Sequence, residues 1–361
     1  MTGLRFVAVG WLNQRRFHPY ATVHNNIKND LLGNKTDAYP YNLNCGIKTA
    51  IIMKTLRFRF TELASRIGPA NPLVQIALRT ACRGVHLRFS STHIDVMQEK
   101  RIIRIAMRHF PYAPDMARHF DHYFCQVVAI SENGSAVVDY SQPRLHQYLK
   151  SGLEFEFSSL AEEVDAIEDY FRWYRPQPGN TVFDIGAYCG ASAHFLSSMV
   201  GPSGKVYAFE PDPLNYALLQ RNIERHALAN VAAVQAAIAD KNGEAEFFSE
   251  GALGSAMAQF SQRAPAGQSV RVATITFADA CARYGVPSYA KVDIEGAEIA
   301  MLGAATDFLR THRIHFALDT NHHVEGVLTA TKVEGIFRSC GYRTESSSSS
   351  GFMTTWASPQ W

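Results

Sequence analysis

Acids stand at the ends of short apolar runs in this sequence. TVFDI (181–185) carries Asp184 just before the glycine loop GAYCG (186–190). KVYAFE (205–210) ends on Glu210, with Pro211 after it, and VAAVQAAI (231–238) is followed by Asp240. YAKVDI (289–294) carries Lys291 and Asp293, and IHFALD (314–319) ends on Asp319, with His322 and His323 close behind. Any one loop acid is an ordinary turn or capping residue. If the runs are neighbouring parallel strands, however, the acids converge. Lys291 and Asp293, two residues apart on a strand, then point to the same side. A carboxylate there can orient a hydroxyl or take its proton, and an imidazole titrating near neutrality can do the same.

The glycine loop narrows the ligand. A dinucleotide pyrophosphate wants G-x-G-x-x-G, with bare N–H groups and a helix N-terminus facing two phosphate charges. Here the loop reads D-I-G-A-Y-C-G, and Asp184 would repel phosphate. S-adenosyl-L-methionine carries a sulfonium and an ammonium and no phosphate, so the same acid attracts it. Gly186 and Gly190 allow a sharp turn and a close approach to the cofactor. Glu210, about one strand–helix unit later, suits two ribose hydroxyls. The glycines alone read equally well as a tight strand-to-helix turn; the interval to Glu210 favours the cofactor.

Three segments resemble the FkbM-type S-adenosylmethionine-dependent methyltransferases. VFDIGAYCG is similar to the family's glycine loop, VYAFEPDPLNYALLQRNI (with Asn222) to its acid-proline segment, and YAKVDIEGAEIAML to its lysine-aspartate-glutamate segment. The resemblance implies a class I methyltransferase fold and O-methylation, commonly of sugars or secondary-metabolite hydroxyls. Tyr188 stands where the family usually has Asn, and Asp319 where it usually has Glu. Residues and resemblance together make Asp184, Gly186, Ala187, Tyr188, Gly190, Glu210, Pro211 and Asp240 the expected contacts of S-adenosyl-L-methionine. The first 150 residues lie outside the resemblance.

Asp293 is the first candidate for the acid that orients or deprotonates the acceptor. Lys291 and His322 complete the catalytic set, with His322 expected to be oriented by Asp319. Glu295 and Glu298 read more simply as first-turn acids favoured by the helix dipole, and Lys291 equally well as a charge partner of its neighbours. A divalent ion held by Asp293, Asp319 and a His is the rival arrangement; no spacing compels it, and no metal is expected. Cys189 reads as a small loop residue, although a nearby helix N-terminus can lower a thiol pKa. By charge, an acidic pocket suits a neutral hydroxyl of a small molecule or glycan better than a phosphorylated acceptor.

The elements that position these groups alternate. The runs above are separated by helical stretches at 191–200, 213–228, 297–309 and 324–339, and LAEEVDAIEDYFRWYR (160–175) reads as a preceding helix. Such alternation means a parallel sheet with right-handed crossovers. The tail GYRTESSSSSGFMTTWASP reads as two strands joined by a serine loop. The expected fold is α/β, a class I Rossmann-like sheet, mostly parallel with a terminal antiparallel hairpin, preceded by a mainly helical N-terminal extension. Residues 72–110, with arginines between apolar positions, read as basic amphipathic helices. The expected organisation is a basic irregular leader over 1–52, a basic, largely helical extension over 53–150, and the methyltransferase domain over 151–361; Met53 is an alternative start.

Charge divides the chain. Residues 1–110 hold 17 Lys or Arg against 5 Asp or Glu, and the remainder 18 against 28. A basic leader beside an acidic catalytic half raises a second function class, a nucleic-acid methyltransferase gripping its substrate electrostatically. Amino-directed enzymes of that kind usually carry Asn or Asp, two prolines and an aromatic after the fourth strand. Here Asp293 is followed by Ile294, Glu295 and Gly296, which disfavours nucleic acid. No apolar run approaches the ~18 to 20 residues of a membrane span, leaving peripheral contact through the basic region as the membrane alternative. The six dispersed cysteines fit reduced thiols and a cytoplasmic setting.

Overall fold

The computed structural model describes residues 67–252, 254–257, 268–324, 327–349 and 352–360. The expected leader over 1–52 and the alternative start at Met53 lie outside the described residues. The central sheet has seven strands: β1 (Thr181–Ile185), β2 (Lys205–Phe209), β3 (Val231–Val234), β4 (Tyr289–Val292), β5 (His315–Asp319), β6 (Tyr342–Ser349) and β7 (Phe352–Pro359). Their order is β3-β2-β1-β4-β5-β7-β6, parallel except for β7, which runs against both neighbours. This is a class I methyltransferase sheet. Strand order reverses between β1 and β4, so a crevice opens at their carboxyl ends.

Helices α1 (Ala191–Val200), α2 (Pro213–Arg225), α3 (Phe277–Tyr284), α4 (Glu298–Ala304) and α5 (Thr329–Ser339) flank the sheet. The two-residue period of the strands sorts apolar side chains onto its two faces. Val182 and Val206 share a core with Leu196 of α1 and Leu218 of α2. Phe183, Ile185 and Phe209 pack with Met301, Val333 and Phe337 on the opposite face. Asp212 caps α2 by accepting from Leu214 N (2.8 Å) and Asn215 N (3.3 Å), with Pro213 at the first helical position.

The largely helical extension expected over 53–150 is corrected by the structure. A helix does form over Pro72–Ala81, capped by Asn71. Beyond it lies a five-stranded sheet, in the order His86–Phe89, His93–Gln98, Arg101–Ala106, Ser135–Tyr140 and Ile130–Glu132. The run RIIRIA has apolar residues on both strand faces, so it shows no clean alternation and mimics helical spacing. Its β-branched isoleucines favour the pleated sheet. The arginines are not a solvated helix face either: Arg104 bonds Asp95 (2.8 Å) on the adjacent strand and, bidentately, Glu132 (2.9 and 3.0 Å).

Other elements shift too. The helix expected over 160–175 is a short one, Val164–Asp169. VAAVQAAI divides into β3 and a separate strand, Ala237–Ala239. That strand opens a second sheet with Gln268–Thr276, Gly243–Ser249 and Ala256–Met257, in that order. Ser346–Ser349 continue β6 instead of forming the loop.

A hairpin, Arg144–Gln147 with Glu154–Phe157, joins the N-terminal sheet to the methyltransferase sheet. Phe155 and Phe157 belong to the same core as Ile103, Leu196 and Leu218. Asn222 of α2 fastens this seam. Its Nδ2 donates to Glu156 O and Cys189 O (both 2.8 Å), and its Oδ1 accepts from Glu156 N (2.8 Å). Asn222→Ala strands these backbone groups in a buried place, and unfolding in denaturant is expected to show a loss of about 2 to 4 kcal/mol. A loss below about 0.5 kcal/mol would remove Asn222 from this role.

Candidate active site

The glycine loop after β1 is pressed against the end of β4. Gly186 has φ +76°, and a Cβ there would sit 1.8 Å from Asp293 O, so only glycine fits. Gly190, at φ +91°, starts α1, and a Cβ there would meet Leu219 at 2.6 Å. Beneath the loop lies Lys291, 2% exposed. Its Nζ donates to Gly186 O (2.7 Å), stands 3.5 Å from Asp184 Oδ1 and faces the Tyr170 ring at 5.6 Å. Burial opposes the ammonium charge, but Asp184, Asp293 and Glu162 outweigh it and raise the lysine pKa above its ordinary value. Ser192 Oγ donates to the other Asp184 oxygen (2.7 Å).

Glu210 closes the neighbouring side. Its Oε2 accepts from Tyr188 N and its Oε1 from Asp212 N (both 2.9 Å). With these two N–H groups and the Asn215 side chain on the carboxyl, lone pairs remain for vicinal hydroxyls, the demand of a ribose. Tyr188 adopts φ +48°, an uncommon conformation for a large side chain. Its ring turns away from the loop to stack on Phe157, and its hydroxyl donates to Leu160 O (2.9 Å). Where the family usually has Asn, tyrosine therefore braces the loop against the segment before β1.

The far end is acidic. Asp293 and Glu295 face the cavity; Glu295 too has positive φ, +53°. Behind them His322 Nε2 lies 3.6 Å from Glu295 Oε2 and 4.0 Å from Asp293 Oδ1. Its Nδ1 pairs with fully buried Glu298 at 3.0 Å, so Glu298, not the expected Asp319, orients the ring. Burial opposes protonation of His322, but Glu298, Glu295 and Asp319 raise its pKa well above the ordinary value. Asp293, Asp319 and His322 bring one potential ligand atom each within 4.8 Å of one another, a spacing that can also accept a divalent ion.

Of the expected cofactor contacts, Gly186, Tyr188, Glu210 and Pro211 line the cavity, as do Lys291 and Asp293. Asp184, Ala187 and Gly190 are packed behind that wall. Asp240 is exposed and away from the wall, because the break after β3 carries the chain into the second sheet, and Ala236, Ala237 and Ile238 take the expected place. Phe247 and Met257 of that sheet also line the cavity. Glu162 lines it without having been singled out; its only sequence signal was an acid in the segment preceding β1. Cys189 is fully buried, and burial raises its thiol pKa, which makes it an inert packing residue.

Residues 184–344 match the Methyltransferase FkbM domain. The chain carries an FkbM-type methyltransferase domain. The 31-O-demethyl-FK506 methyltransferase FkbM of Streptomyces tacrolimicus is 25% identical over 182 residues, covering 42% of this chain and 69% of that protein. The tRNA (adenine(58)-N(1))-methyltransferase catalytic subunit TRM61 of Yarrowia lipolytica is 40% identical over 55 residues, 15% of this chain and 14% of its own length. A crystal structure of methyltransferase FkbM from Methylobacillus flagellatus is 14% identical with a TM-score of 0.36, covering 54% of this chain and 50% of that one. The chain thus spans between 14% and 69% of the lengths of these proteins.

The FkbM site holds protons that an unfolded chain releases. Burial, with Asp212 repulsion, pushes Glu210 up to about 8. An acid raised in the fold contributes stability that is fully present below its unfolded pKa and lost as pH rises through the folded one. Glu210→Gln removes this dependence. Relative to wild type, the variant without ligand is expected to gain stability as the pH rises from about 4.5 to about 8 and to level off above that. Parallel pH curves of denaturant midpoint for the two proteins would contradict the protonated Glu210.

Proposed function

We propose that the FkbM domain is an O-methyltransferase acting on a hydroxyl of a sugar, glycan or secondary metabolite. The observation that carries this reading is the wall around Asp293. Lys291 is committed to the loop, so the groups offered to an acceptor beyond β4 are the carboxylates of Asp293 and Glu295, with His322 behind them. Such a wall accepts hydrogen bonds from a neutral polyol and repels a phosphorylated one.

The donor fits the residues present: Gly186 lets the loop close onto the end of β4 where no side chain would fit, and Glu210 keeps acceptor capacity for hydroxyls. When bound, S-adenosyl-L-methionine supplies a methyl group on a positively charged sulfur that departs as a neutral thioether. The protein's remaining tasks are alignment and proton removal. Glu210 and the Gly186 loop hold the nucleoside. Asp293 orients the acceptor hydroxyl and accepts its proton. His322 carries its own proton near neutrality, so it serves as a fixed positive charge beside Asp293 and Glu295 and is no general base.

The nucleic-acid alternative drew on basic residues before 110. Of those described, Arg88 and Arg104 are paired with Asp95, and Arg101 with Asp121. Among the described residues no helix is long and apolar enough to cross a membrane. The five described cysteines are free thiols, in keeping with a cytoplasmic location as part of this proposal.

Asp293→Asn keeps the shape of the side chain and removes its charge. With a hydroxyl acceptor found by screening labelled donor against small molecules, glycans and RNA, turnover is expected to fall by something like ~10² to 10⁴, with donor affinity changed far less. Wild-type activity is expected to survive dialysis against chelator. Unchanged turnover in the variant would remove Asp293 from the proton transfer. Activity lost to chelator and restored by a divalent ion would transfer the role to a metal at Asp293, Asp319 and His322.

A further inference from the structure

One acid on the cavity wall has no part in this account. Glu162 belongs to the segment running from the hairpin toward β1, which is pinned from both sides. Ser159 Oγ lies 3.0 Å from His109 Nδ1, and Tyr148 OH donates to Glu162 O (2.6 Å), both partners belonging to the N-terminal part. Ser158 Oγ donates to Asn215 Oδ1 (2.7 Å), and Tyr188 OH donates to Leu160 O (2.9 Å), from the methyltransferase side. The backbone carrying Glu162 is thereby fixed beside the cavity that Gly186, Lys291 and Asp293 also line, close enough for the Glu162 carboxyl to feel the charges of Lys291 and Asp293.

One oxygen of the Glu162 side chain is left unanswered in this fixed position, although the carboxyl bonds the backbone of Ser192. Glu162 Oε2 is shielded from water and has no hydrogen-bond partner. A buried carboxylate oxygen without a donor is costly, and a ligand that supplies the donor recovers that cost. Burial holds the carboxyl up at about 7 despite the pull of Lys291, and a positive partner nearby would favour its charged form.

The chemistry of the methyl donor supplies one. It brings two cationic groups, and by residue type and position Asp184 is the acid expected to attract them. Asp184 is absent from the cavity wall, with one oxygen bonded to Ser192 and the other facing Lys291. Gly186 O accepts from Lys291 Nζ. Between the two cations, only the ammonium has N–H donors for an orphaned oxygen; the sulfonium has none.

Building on the cofactor site proposed above, we propose that Glu162 is the carboxylate that binds the α-ammonium group of S-adenosyl-L-methionine, the part Asp184 cannot play from behind the loop. Glu162 then selects for the amino-acid end of the cofactor and is indifferent to the nucleoside end.

Two nucleosides separate this from a structural role: S-adenosylhomocysteine, which keeps the amino-acid moiety, and 5′-methylthioadenosine, which lacks it. Calorimetric titration of the full chain is expected to show Glu162→Gln binding S-adenosylhomocysteine about ten- to a hundredfold more weakly than wild type, the effect of losing one charge-assisted hydrogen bond. Its affinity for 5′-methylthioadenosine is expected to stay within about twofold, well under the 1.4 kcal/mol of a tenfold change. Glu162→Asp, which keeps the charge on a shorter arm, is expected to show the same asymmetry and serves if the glutamine variant does not fold. Equal weakening of both ligands, or no weakening of either, would overturn the assignment. A wild-type protein that binds neither nucleoside would overturn the cofactor site itself, and the Glu162 assignment with it.

Discussion

A buried lysine sets the geometry of the site. Lys291 reaches from β4 to the carbonyl of Gly186 and to Asp184 at the end of β1, the two strands between which strand order reverses. Parallel strands alone fix the distance between their backbones, not the shape of the loop that leaves them. Lys291 supplies that shape by pulling the Gly186 carbonyl inward, while the glycine itself lets the loop touch Asp293 O. Removing one partner of a buried ion pair leaves an uncompensated charge in a low-dielectric place, which is costly where an exposed pair would be nearly neutral. Everything the cavity offers, from Glu210 on one side to Asp293 on the other, depends on where that loop lies.

The second constraint comes from outside the methyltransferase sheet. The N-terminal strands share a continuous core with α1 and α2, and the segment between them carries Glu162 onto the cavity wall. Tyr188 takes part in the same arrangement: its backbone N–H serves Glu210 while its side chain braces Leu160. The uncommon positive φ of Tyr188 is thus compensated by contacts at both ends of the residue.

What the sequence made legible follows from periodicity. Strands β1, β2, β4 and β5 are short apolar runs bounded by loop residues, and each lies where its pattern puts it. With them come Gly186, Glu210 and Asp293, whose positions are fixed by strand ends. The N-terminal strands were illegible because RIIRIA buries residues on both faces and leaves no period to read. Asp240 falls away from the cavity wall because the chain breaks between β3 and Ala237, a break that the seven apolar residues around Gln235 hide. Lys291, Asp184 and His322 were seen as chemically capable, but partnership is tertiary. Nothing in the spacing distinguishes a lysine facing substrate from one locked under a loop, or assigns His322 to Glu298 over Asp319.

Lys291 is thus a strut of the cofactor loop and not a group that handles the acceptor. Lys291→Met, which keeps the length of the side chain and loses its charge, tests this role through unfolding in denaturant together with titration of S-adenosylhomocysteine. A loss of about 3 to 5 kcal/mol in stability with weakened nucleoside binding is expected, and partial recovery of stability when Asp184→Asn is added to remove the stranded charge. A Lys291→Met protein as stable as wild type, binding nucleoside normally and failing only in methyl transfer, would contradict it.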